Sequence, residues 1–152
     1  MKTNNSKTGY ELAIAAVAVI LLLAIGSMSS AKNVSVKFPN SGVSLKAEVA
    51  DTPYMLGRGL MFRQKMFLDS GMLFVFSQQQ ILKFWMKNTL MPLDMIFISE
   101  NFTIVNIVED AKPCTSNCEI YSSIAPAKYT VEANAGFVRN NGIKVGDEVR
   151  VG

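Results

Sequence analysis

The sequence contains no histidine. That absence removes Ser-His-Asp and Cys-His pairs, two-histidine zinc sites and imidazole acid–base chemistry, so any catalysis must use carboxylates, lysine, arginine, tyrosine or cysteine. Cysteine is scarce, with Cys114 and Cys118 alone, and Trp85 is the single tryptophan. No repeat or low-complexity tract is present. Charged residues make up 18% of the 152 positions, an ordinary globular composition of one-domain length.

The long apolar run lies at the N-terminus. Residues 12–25 (LAIAAVAVILLLAI) follow the basic Lys2 and Lys7 and precede the small residues 26–31 (GSMSSA), where Ser29 and Ala31 fit a small-x-small cleavage site. The run is shorter than the roughly 20 residues that span a bilayer, although Tyr10 and Met28 extend it. A cleaved signal peptide and an uncleaved anchor, contacting the membrane through residues 10–28, both fit. Either places residues 32–152 outside the cytoplasm, secreted or membrane-anchored, with the lysines of an anchor inside. No cysteine follows the run, which argues against a lipid-modified N-terminus. The expected organisation is a signal or anchor in 1–31, a linker and first strand in 32–44, and a single globular β domain in 45–152.

Without residues 1–31 the chain carries thirteen basic and eleven acidic residues. A balance of +2 does not point to a nucleic-acid partner. The remaining length is enough to bury one core, and no metal or cofactor is called for.

Residues 34–38 (VSVKF) alternate apolar and polar, the turn 39–42 (PNSG) follows, and residues 45–49 (LKAEV) alternate again. A starting hairpin results, with Val34, Val36 and Phe38 facing the core and Lys37 in solvent. Asp51, Thr52 and Pro53 then start a helix that Gly57 and Gly59 keep short. Those glycines also allow close backbone approach beside Arg58, and Arg58 and Arg63 bracket an apolar patch. Residues 71–76 (GMLFVF) read as a strand buried on both faces, residues 77–80 (SQQQ) as a connection, and residues 110–125 as a long loop. A strand over 128–133, a helix over 137–140 capped by Asn134 and ended by Gly142, and a last strand over 148–151 complete the chain. Seven or eight strands and two short helices predict a mostly antiparallel sandwich or barrel.

Residues 83–98 (KFWMKNTLMPLDMIFI) stand out, and their pattern predicts two strands joined by a polar turn at Asn88, Thr89 and Pro92. The strand period groups Leu82, Phe84 and Met86 on one face and Lys83, Trp85 and Lys87 on the other. A tryptophan flanked by lysines is a platform for a sugar or a cation, or a cover for a hydrophobic cluster near Leu60. Asp94 interrupts an apolar run, so it needs a partner, because an unpaired buried charge is costly. Bracing the turn is its plainer role. Glu132 alternates with Val131 and Ala133. With Asn134 it offers a carboxylate–amide pair, and with Asp94 it would make the minimum kit for glycoside hydrolysis, against the plainer reading of a solvated strand face. Cys114 and Cys118, outside the cytoplasm and without a nearby base, read as a disulfide.

The motifs Arg58-Gly59-Leu60-Met61-Phe62-Arg63, Gly71-Met72-Leu73-Phe74-Val75-Phe76 and Phe84-Trp85-Met86-Lys87-Asn88-Thr89 with Pro92-Leu93-Asp94 occur in order. They are followed by the cysteine loop ending at Tyr121, by Val131-Glu132-Ala133-Asn134-Ala135-Gly136-Phe137, and by Gly142-Ile143 and Gly146-Asp147. Over about residues 45–151 the chain thereby resembles the domain of unknown function 192 family. The resemblance implies a compact, mainly β, jelly-roll-like domain, often exported, and carries no activity with it. It marks Arg58, Arg63, Trp85, Lys87, Asn88, Thr89, Asp94, Glu132 and Asn134 as candidate binding residues. The segment around Cys118 departs from the family by lacking a proline beside the second cysteine.

With no recognisable catalytic pair, the expected function is a non-enzymatic binding module of the cell envelope, its ligand a glycan or peptide. A carboxylate-dependent glycan hydrolase using Asp94 and Glu132, and an envelope assembly factor, are the alternatives.

Overall fold

The computed structural model describes residues 32–152. The signal or anchor expected in residues 1–31, its apolar helix and its membrane contact lie outside the described residues. The described chain runs β1 (Asn33–Phe38), β2 (Val43–Ala50), α1 (Pro53–Arg58), β3 (Ser70–Gln80), β4 (Lys83–Phe84) and β5 (Leu93–Ile98). It continues as β6 (Ile104–Ala111), β7 (Tyr121–Ser122), β8 (Ala127–Asn134), α2 (Phe137–Asn141) and β9 (Arg150–Val151). Seven strands form one sheet in the order β6-β5-β8-β3-β2-β1-β9, while β4 and β7 pair separately. The fold is mainly β, a curled half-barrel sheet with two short helices.

The first hairpin forms as its alternation demands. Val36 and Phe38 are buried, Lys37 is exposed, and Gly42 takes a positive φ of 68° in the turn. Here β1 is part of the sheet, paired from Asn33↔Glu48 to Phe38↔Val43. Next, β2 and β3 run parallel, with Glu48 beside Met72. A parallel pair requires a crossover, and residues 51–69, with α1 inside them, provide it. It is the one parallel pair in a sheet whose other pairings are all antiparallel, so the sheet is mostly antiparallel, as expected. Alternation reports which face a residue takes, but is silent on strand direction.

The C-terminal segment reaches both ends of the sheet, with Gly146 N donating to Ile104 O of β6 at 2.8 Å. β9 pairs with β1, and Val149 N donates to Phe102 O at 2.8 Å beside the Thr103–Glu148 bridge. One face of the sheet packs Val36, Phe38, Leu45, Ile96 and Val131 against Phe137 and Val138 of α2. The other packs Met72, Phe74, Met95 and Phe97 against Leu60, Leu82 and Met86. Among the described residues no helix is long and apolar enough to cross a membrane.

Three local expectations are corrected. Residues 83–98 are not a hairpin: β4 pairs with β7, whereas β5 pairs with β6 and β8 at the middle of the main sheet. All six residues of β5 are buried, and it takes the eight-residue strands β6 and β8 on its two edges rather than the two-residue β4. Residues 77–80 are not a connection but the exposed end of β3. Asn134 ends β8 and does not cap α2, whose N-cap is Gly136 in a left-handed conformation without a side-chain bond.

Candidate functional site

The crossover starts where Thr52 caps α1, its hydroxyl accepting from Met55 N at 3.3 Å, with Pro53 at the first helical position. Gly59 ends the helix with φ 48°, and a side chain there would meet the Phe74 ring at 3.1 Å. The missing Cβ is what lets residues 56–61 lie against the sheet, as the paired glycines imply. Phe62 N donates to Asn88 O at 2.8 Å, joining this arm to the segment after β4.

That segment is held from its other side by the cysteine loop. Cys114 and Cys118 form a disulfide, with Cα atoms 5.7 Å apart. Asn88 N donates to Cys114 O at 2.8 Å and Cys114 N to Met86 O at 3.1 Å. Asn88 takes a positive φ of 56° and works through its backbone. The expected alternation holds: Leu82 and Met86 are buried while Lys83, Trp85 and Lys87 are exposed. Trp85 remains 46% exposed and the Lys87 ammonium lies 5.2 Å from its ring centre. Phe84, not Trp85, does the packing, edge-on to Phe74, Phe76 and Phe97.

Between the two segments lies a small cavity of about 30 Å³ lined by residues 56–61, Phe74, Phe84, Trp85, Lys87, Thr89 and Glu132. Five residues marked in the sequence thus converge: Arg58, Trp85, Lys87, Thr89 and Glu132. Glu132 is 5% exposed, which replaces the solvated strand face, and it stands between Met72 on β3 and Met95 on β5. Among the described residues no hydrogen bond or ion pair reaches its carboxyl. Burial alone pushes it up to about 8, because a desolvated carboxylate without a partner is disfavoured against its neutral acid. At neutral pH Glu132 is mostly a carboxylic acid, able both to donate and to accept. The Arg58 guanidinium donates to the Tyr54 hydroxyl one helical turn away at 2.9 Å.

The chain belongs to the DUF192 family. The family model, described as "Uncharacterized ACR", matches residues 35–151. A candidate transcription regulator from Sinorhizobium meliloti 1021 is 38% identical, with a TM-score of 0.71 over 80% of this chain and 94% of that one. A protein of unknown function from Novosphingobium aromaticivorans DSM 12444 is 31% identical, with a TM-score of 0.73 over 82% and 89% of the two chains. No curated protein matches.

Four of the marked residues of this DUF192 chain lie outside the cavity or serve it indirectly. Asp94 is fully buried but opposes Ala133 across β5 and β8, so it projects from the face opposite Glu132. Its two oxygens accept from Asp110 N and Val138 N, each at 2.9 Å. It secures the bulge of β6, where Asp110 has a φ of 56°, and the first turn of α2. The carboxylate pair proposed for glycoside hydrolysis is therefore absent, since the sheet separates its two members. Arg63 makes a two-pronged pair with Glu48, one bond at 2.9 Å, and those bonds hold the Glu48 carboxyl below its usual range while burial opposes them. Asn134 Nδ2 donates to Phe67 O at 2.8 Å and pins the end of the crossover. Asn88, as described, positions backbone.

Sequence reasoning missed Glu48 as the Arg63 partner and Phe84 as the aromatic centre. It also missed that all seven methionines of residues 32–152 gather on the Glu132 face: Met55, Met66, Met72, Met86, Met91 and Met95 in its core, and Met61 along the cavity. The signal was present as seven methionines between positions 55 and 95. Their common face depends on the parallel crossover.

Proposed function

We propose that this domain is an extracytoplasmic, non-enzymatic binding module of the cell envelope, and that the cavity over Glu132 is its ligand site. The observation that carries the reading is a buried carboxyl without a protein partner, facing a cavity that Arg58, Lys87 and Trp85 line. Buried polar groups are nearly always satisfied, so an unsatisfied one in a cavity is a place for a ligand atom. A ligand whose carbonyl or hydroxyl accepts from neutral Glu132, and whose ring or planar group replaces Lys87 over Trp85, matches this chemistry. Sugars and peptide bonds both qualify.

At about 30 Å³ the cavity holds little more than water. Methionine side chains repack easily, and the Met-rich surroundings supply the compliance that a larger group requires. The test is titration of Trp85 emission with N-acetylglucosamine oligomers and with short peptides. A saturable change that Glu132→Leu abolishes and Glu132→Gln keeps is expected. No saturable response to either class sinks the reading.

A second reading, an acid–base enzyme, draws on one observation: a carboxyl pushed to about 8 is well placed to exchange protons near neutral pH. It would act through Glu132 alone. A transcription-regulator role, the description carried by the Sinorhizobium relative, is less well supported if it were to act by a helix on DNA. The described helices have six and five residues, too short to lie along a major groove. The third role, envelope assembly factor, would draw on the apolar grooves beside Arg63 instead of the cavity.

A further inference from the structure

Beyond the cavity, the crossover exposes an uncommon amount of apolar surface. Phe67 and Leu68 are 82% and 85% exposed, and Phe62 and Tyr54 are largely exposed as well. Two open grooves, of about 410 and 470 Å³, meet at the Arg63–Glu48 pair. Tyr54 and Phe62 line the first and Phe67 the second, so these side chains form one continuous surface rather than scattered exceptions.

The turn that carries Phe67 and Leu68 is fixed. Phe67 O accepts from Asn134 Nδ2 at 2.8 Å and from Ser70 N at 3.1 Å, and Asp69 O accepts from Lys46 N at 2.8 Å. Backbone bonded on both sides holds two large apolar side chains in water, an arrangement that is unfavourable unless something covers them. Glu48 neutralises Arg63, which leaves Arg58 and Lys65 as the net charge lining the two grooves.

We propose that this surface seats on an anionic phospholipid bilayer, with Phe67 and Leu68 entering the headgroup–acyl boundary and Lys65 and Arg58 meeting lipid phosphates. Apolar side chains that insert among basic ones are the chemistry of interfacial binding. What favours a membrane as the occupant is the short length of chain between the apolar run and this surface. Six residues, 26–31, separate the apolar run of residues 12–25 from Lys32. The described chain then enters the sheet at Asn33, opposite Glu48, the residue that holds Arg63. Were that run to stay in a bilayer uncleaved, those six residues would tether the described chain to it.

Lipid contact at one end of the domain also fixes which parts stay in water. Asn134, which pins Phe67, ends β8, whereas Ile124 precedes the other end of that strand and is 78% exposed. The test uses the full chain reconstituted in phosphatidylcholine vesicles with and without phosphatidylglycerol, their acyl chains brominated. Phe67→Trp and Ile124→Trp are compared in a Trp85→Phe background. Emission from position 67 is expected to be quenched several-fold more than from position 124, to be shielded from iodide, and to lose much of this difference without phosphatidylglycerol. Equal quenching at both positions overturns the proposal, as does a chain that floats with neither vesicle type. Cross-linking of position 67 to an envelope protein in place of lipid is the same negative result. Because no arm reads the cavity, failure here leaves the Glu132 site standing.

Discussion

Asp94 and Glu132 occupy adjacent strands, one position apart in register, and project from opposite faces of the same sheet. Asp94 gives both oxygens to backbone N–H groups of Asp110 and Val138. Glu132 faces the methionine-rich side with its carboxyl unpartnered. Two buried carboxyls that look alike in the sequence therefore have separate roles, one as an internal cap and one as a candidate site.

Stability should fall with rising pH because of Glu132. Its folded value of about 8 lies above the ordinary glutamate value of 4.5, so between the two the folded state keeps a proton that the unfolded chain releases. The contribution is complete below the lower value and is lost up to the higher one, at about 1.4 kcal/mol per pH unit. Glu132→Gln removes this slope. Urea unfolding across the window should show the variant equal to the native protein at the acid end and more stable by a few kcal/mol at the alkaline end. Parallel curves would show that the Glu132 carboxyl is not desolvated.

Asp94→Ala should destabilise by about 3 kcal/mol, since it leaves a part-buried N–H at the β6 bulge and a buried one at the start of α2 without an acceptor. Asp94→Asn, with one accepting oxygen, should fall between. Neither change should alter Trp85 emission or its ligand response in the folded protein, because Asp94 belongs to the other core. Thermal unfolding read beside fluorescence checks both, and a changed Trp85 signal would contradict the separation of the two faces.

Opening the Cys114–Cys118 disulfide should cost about 2 kcal/mol, because it closes so short a ring. The effect should be local. Asn88 N donates to Cys114 O, so hydrogen exchange at Asn88 should accelerate on reduction while amides of β5 stay protected. Acceleration spread evenly over the sheet would show that the loop supports the whole domain rather than the Trp85–Lys87 platform.

Much of the architecture was legible because burial periodicity is local. The alternation of residues 34–38 put Val36 and Phe38 in the core, Thr52 and Pro53 announced α1, and Gly142 ended α2 at a φ of 64°. Local rules failed where partners are distant. Asn134 looks like a cap only three residues before Phe137, yet the acceptor that serves α2 is Asp94, forty-four residues away. Residues 83–98 look like a hairpin, yet β5 gains more by pairing along both edges with β6 and β8 while its faces enter the two cores.

By itself the sequence determined a single mainly β domain, the chemistry excluded by the missing histidines, the disulfide and the set of residues worth marking. It did so because composition and period are properties of the chain alone. Only the tertiary structure decided which marked residues meet. The parallel β2–β3 pair forces residues 51–69 to cross one face, and that crossing brings Arg58 over Glu132 and the Trp85–Lys87 segment while leaving Asp94 behind the sheet. Strand direction and register have no signature within a strand, so the membership of the site could not be read until the strands were paired.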